Sequence, residues 1–144
     1  MNPNFPIIIF YNNSIDLLLS ENKLYHARLL GILKGNLNSI AYDSEGNKWD
    51  LKLFSEKVKN NFFIRFLAYT FYNPKISVIP KWNFLENYDL IEIKKQIITL
   101  IENDDDIYTQ FVTAEELRKL IENANNFKQI FDILLKCIFK YNKE

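Results

Sequence analysis

The chain has one cysteine, Cys137, and one histidine, His26, among 144 residues. A single cysteine excludes an intrachain disulfide and leaves the redox compartment open. Zinc sites of standard spacing need several Cys or His ligands and cannot be built from this pair. The only conceivable thiol nucleophile with a histidine base is Cys137 with His26, and no sequence feature brings them together. His26 therefore reads as a surface or packing residue. Only three glycines are present. They form no Gly-rich phosphate loop and no Gly-x-Ser-x-Gly elbow. No window approaches the ~20 apolar residues of a membrane helix. The opening MNPNFPIIIFYNN is apolar only over Ile7 to Tyr11. It lacks a basic leader and a small-residue cleavage site, so it is not expected to be a signal peptide.

What is present is an ordinary globular composition, 48% hydrophobic and 25% charged, with twelve Phe and eight Tyr. The length suits one domain, 1–144. Formal charge sums to zero, which argues against general affinity for nucleic acid. It is unevenly spread. Residues 1–85 carry ten Lys/Arg and six Asp/Glu, and residues 86–144 carry eight and twelve. Such polarity suits a charged partner on one side.

The first 55 residues read as mainly β. Ile7–Tyr11 and Ile15–Leu19 are apolar runs split by Asn12-Asn13-Ser14, a turn signal. Leu24–Leu33 and Leu37–Tyr42 follow as strands around Lys34-Gly35-Asn36. Asp43-Ser44-Glu45-Gly46-Asn47 makes the next turn. In Lys48–Phe54, Trp49, Leu51 and Leu53 alternate with Lys48, Asp50 and Lys52, the pattern of an antiparallel strand with one wet face.

Residues 56–144 read as mainly α. A helix is expected over Glu56–Tyr72, with Phe62, Phe63, Phe66, Leu67 and Phe71 buried, although this stretch also suits a buried strand. Asn73-Pro74 ends it. Lys75–Ile79 reads as a short strand closed by Pro80. Leu90, Ile93, Ile97, Leu100 and Ile101 give helical spacing over Tyr88–Glu102. Thr113 and Glu116 form a capping box ahead of Leu117, Leu120 and Ile121. Asn125-Asn126 separates that helix from a last one beginning at Phe127 and running to about Tyr141. The expected architecture is α+β: a mainly antiparallel N-terminal β-meander covered by C-terminal helices.

Two constellations invite a chemical reading. Asp43 with Asp50 and Lys52 has the acid…Asp-x-Lys pattern of a small metal-dependent nuclease, in which two carboxylates hold Mg²⁺ and a lysine steadies water. A polar turn followed by a strand's solvated face explains the same residues. The second is the acidic run Glu102 to Glu122, which holds seven acids against Arg118 and Lys119. Counted from Asp104, an EF-hand would need Gly at the sixth position and has Thr109. Asp104, Asp105 and Asp106 suit the start of a helical turn, where carboxylates meet the positive dipole end, or a surface that meets a basic partner. No metal or cofactor is expected.

The Tyr42-Asp43-Ser44-Glu45-Gly46…Trp49 hairpin, the DDDIYTQF run at Asp104–Phe111 and the Ala114-Glu115-Glu116-Leu117 helix resemble small immunity proteins of bacterial polymorphic-toxin and contact-dependent growth-inhibition systems. The likeness lies in layout across most of the chain rather than in an invariant motif. It implies a cytoplasmic protein without catalysis of its own, which binds and blocks the C-terminal domain of one cognate toxin. Its contact surface would be Glu102, Asp104, Asp105, Asp106, Glu115 and Glu116. Tyr108 would be an aromatic anchor, and Phe111 a second candidate better suited to core packing. An adaptor or structural subunit using an exposed sheet edge is the other non-enzymatic reading.

Overall fold

The structure is a computed structural model that describes residues 1–11, 14–21, 26–28, 39–56, 62–70, 73–103 and 111–138, with backbone alone at 26–28. Alternating apolar residues build an antiparallel sheet from β1 (Ile7–Tyr11), β2 (Ser14–Leu18), β4 (Ser39–Asp43), β5 (Asn47–Phe54) and β7 (Ile79–Asn87). Its strand order is β2-β1-β4-β5-β7. The pairs β1–β2 and β4–β5 are consecutive, whereas β4 returns to the free side of β1 and β7 joins β5 after a helix. The short strands β3 (His26–Arg28) and β6 (Lys75–Ser77) pair separately. Among the described residues four helices follow: α1 (Phe62–Thr70), α2 (Leu90–Asn103), α3 (Ala114–Asn123) and α4 (Phe127–Cys137). The expected α+β class, an antiparallel N-terminal sheet covered by C-terminal helices, is the one observed.

Side-chain alternation divides the sheet into two apolar faces. Ile8, Ile15, Leu17 and Tyr42 form one core with Ile93, Ile97 and Ile101 of α2, Leu117 and Ile121 of α3, and Phe127, Ile130, Phe131 and Leu134 of α4. These helical residues recur at three- and four-residue spacing, so each helix buries one stripe. On the opposite face Ile7, Ile9, Leu18, Ala41, Trp49 and Leu51 form a second cluster, joined by Phe5 and Trp82. Fully burying each such aliphatic side chain contributes about 1.5–3 kcal/mol before the entropy of ordering it. Among the described residues no helix is long and apolar enough to cross a membrane.

Local signals explain the helix starts. Thr113 takes an extended conformation and its hydroxyl accepts from the Glu116 amide at 3.2 Å. Asn126 caps α4 in the same way, accepting from the Gln129 amide at 2.9 Å. A polar joint locks α2 onto the sheet. The Tyr42 hydroxyl donates to Glu92 at 2.6 Å, and Lys48 Nζ lies 2.6 Å from the same carboxylate. The Gln96 amide donates to the Tyr42 oxygen at 2.8 Å. Lys48 and Tyr42 hold the Glu92 carboxyl below its ordinary pKa. Glu92→Ala is expected to destabilise the fold by about 1–3 kcal/mol in denaturant titration, because it strands the Tyr42 hydroxyl donor and leaves Lys48 with Glu86 alone.

Three expectations change. Residues 75–87 hold two strands rather than one closed by Pro80. Pro80 lies inside β7, opposite Leu53, and it is tolerated because β7 is the sheet's edge, where a missing N–H need not break a ladder. The helix expected over Glu56–Tyr72 is described over Phe62–Thr70, and its aromatic residues are not its buried side. Ala68 is its one buried residue, whereas Phe62, Phe63 and Phe66 are exposed. Phe71 lies outside the described residues, as does most of the Leu24–Leu33 strand.

Candidate functional site

The acidic stretch is described at its two ends. Asp104, Asp105, Asp106 and Tyr108 lie outside the described residues. Glu102 closes α2, and Glu115 and Glu116 occupy the first turn of α3, where their charge suits the helix dipole. The helices bring Glu102 within reach of Arg118, which bonds it at 3.0 Å and Glu122 at 2.9 Å. Lys119 pairs with Glu115 at 2.7 Å. All these groups are exposed, so their pairing adds little to stability and is readily exchanged for a partner's charges. Phe111, favoured for the core, is instead 49% exposed. It lies with Val112, Glu116, Leu120 and Ile133 along a groove of about 520 Å³ between α3 and α4. Cys137 also lines this groove, and burial pushes its thiol pKa up, away from the reactive range.

The nuclease constellation does not assemble. Tyr42 pairs with Lys48 and Ile40 with Asp50, so Asp50 shares the face of Tyr42. Asp43 is one residue along and points to the other face, where its carboxylate accepts from the Trp49 indole at 3.0 Å. The two carboxylates are on opposite sides of the sheet and cannot hold one ion between them. Asp50 instead pairs with Lys52 at 3.2 Å, as expected of a strand's polar face. Asp43 is fully buried and is a structural acceptor. The amides of Glu45 and Asn47, the Asn47 side chain and the Asn4 amide all donate to it. Burial alone would raise its pKa. The bonds from Asn47, Trp49 and Asn4 outweigh burial and hold the carboxyl below its ordinary value.

The most exposed aromatic surface among the described residues is one that sequence reasoning assigned to the interior. In α1, Phe62 is 85% exposed, Phe63 66%, Phe66 50% and Tyr69 69%. Positions 62, 66 and 69 are spaced by four and three, so they form one stripe, with Phe63 beside it. The opposite stripe is Ile64, Leu67 and Ala68, half-buried or buried. A helix with aromatic or aliphatic residues on nearly every side is ordinarily enclosed. This one is enclosed on one side only. The signal in the sequence was an apolar run interrupted only by Arg65, and one charge in so apolar a run does not say which side is buried.

In comparisons with known proteins, no family model, no curated protein and no solved structure matches the chain.

Proposed function

We propose that this protein is a binding protein of the immunity type, which docks on the C-terminal domain of a cognate toxin and blocks it without catalysis of its own. The observation that carries the reading is the exposed aromatic stripe of α1. Aromatic side chains concentrate binding energy at protein interfaces, and isolated soluble chains rarely leave several of them open together. The acidic α2–α3 surface around Glu102, Glu115 and Glu116 supports the same reading in a second role. Toxin domains that act on nucleic acid are basic, and surface carboxylates speed and orient their encounter. Asp104, Asp105, Asp106 and Tyr108 extend that surface in sequence. On this reading the protein works in the cytoplasm.

The test is co-expression with the variable C-terminal domain of the secreted protein encoded beside its gene. Cells producing that domain alone should stop growing, and cells also producing this protein should grow normally. Arrest despite comparable amounts of both proteins, or a neighbouring gene that encodes nothing toxic, would sink the proposal.

A further inference from the structure

We propose that α1 is an inserted helix, which seats its aromatic stripe in an apolar cleft of the toxin domain as wide as one helix. The proposal rests on the toxin reading and goes on to name the partner surface. α1 is nine residues long, and Phe62, Phe66 and Tyr69 stand at i, i+4 and i+7. At 100° per residue the three side chains fall within about 60° of one another. That spacing is the set of anchors by which a helix lies in a groove. The half-buried Ile64 and Leu67 and the buried Ala68 face the rest of the chain. The outer half of the helix therefore stands proud, with Phe63 on one flank of the stripe and Arg65 on the other.

Area decides between a cleft and a flat partner. Phe62, Phe63, Phe66 and Tyr69 are between 50% and 85% exposed. An aromatic side chain buries about 150–250 Å², so the four still have roughly 400–700 Å² to bury. That is half or more of the ~800 Å² that each partner contributes to a standard interface. It is realised only where the partner encloses the rings, because a flat surface touches their outer edges alone. The remaining chemistry selects a protein cleft. Arg65 is the one charge in α1, whereas helices that lie on lipid carry a polar face rich in Lys and Arg. A second copy packed stripe to stripe fits no better. Arg65 stands at the midpoint of 62–69, so a two-fold axis between antiparallel helices brings it to the same flank as its counterpart, like charge beside like.

The test is a size series in the full chain, read by titration with the toxin domain encoded beside its gene. A close-packed cleft penalises enlargement as well as shrinkage. Phe66→Leu and Phe66→Trp should each lose at least ~10-fold in affinity, with unfolding curves like wild type. Phe62→Leu and Phe62→Trp repeat the series at a ring that is 85% exposed, so the result does not hang on the folding of one variant. If wild type binds and both Trp variants bind as well or better, the cleft is overturned and the toxin reading stands. If wild type neither binds nor protects, that reading fails first and the cleft fails with it. Two further results would overturn the proposal by giving the stripe another occupant. One is a wild-type dimer in sedimentation that Phe62→Gln/Phe66→Gln abolishes. The other is co-sedimentation of wild type with phosphatidylglycerol vesicles that the same double change abolishes.

Discussion

Asp43→Ala is expected to lose about 3–5 kcal/mol of folding stability, a large part of what a domain of this size has. The loss exceeds that of an ordinary surface carboxylate because of what Asp43 holds. Its oxygens accept from the Trp49 indole, from the amides of Asn4, Glu45 and Asn47, and from the Asn47 side chain. The group thus ties the N-terminal segment, the β4–β5 turn and a core tryptophan together. Gly46 completes that turn with a φ of +89°, a conformation that other residues rarely adopt. Removing the carboxylate leaves the buried Trp49 indole without an acceptor, at about 1–3 kcal/mol, and also releases the turn and the N-terminal segment that its other bonds hold. Asp43→Asn keeps the shape and one acceptor, and should fall between wild type and Ala. Urea titration of the three proteins at neutral pH checks the order.

The same residue sets part of the acid response. Its carboxyl is held below the ordinary value of 3.8, so between the folded and ordinary values the unfolded chain binds more protons than the folded one. Stability from this group is therefore complete above the ordinary value and is lost as pH falls through the folded one. The gap between wild type and Asp43→Ala should be constant near neutrality and narrow in acid.

Much of the fold could be read from residues whose two sides differ. Trp49, Leu51 and Leu53 alternate with Lys48, Asp50 and Lys52 because β5 has an enclosed face and a wetter one. Ile93, Ile97 and Ile101 mark α2 for the same reason, and Thr113 marks the start of α3 through its hydroxyl. The misses have equally physical causes. In β7 the extra residue Leu85 shifts the phase of alternation, and an edge strand with two wet margins shows little period to begin with. α1 is apolar apart from Arg65 and Thr70, so its buried side is decided by what it packs on more than by its own pattern. The failed carboxylate pair is a matter of parity. Seven positions separate Asp43 from Asp50, and only once Tyr42 is seen to pair with Lys48 does it follow that they face opposite ways.

The largest functional effect is expected from α1. Replacing Phe62 and Phe66 together by Gln removes two exposed rings from one stripe without changing charge, and Gln is a good helix former. If these rings anchor the toxin domain, each is worth about 1.4 kcal/mol or more, so the pair should cost at least ~100-fold in affinity. Neither ring is buried, so thermal unfolding should shift little. Protection of growing cells should fail in parallel with binding.

The most direct measurement is a calorimetric titration of the purified toxin domain into wild type and into Phe62→Gln/Phe66→Gln. Wild type should bind tightly, one toxin domain per chain, and the variant should lose at least ~100-fold in affinity with its unfolding curve unchanged. Equal affinity for both proteins would contradict the assignment and move the interface away from α1.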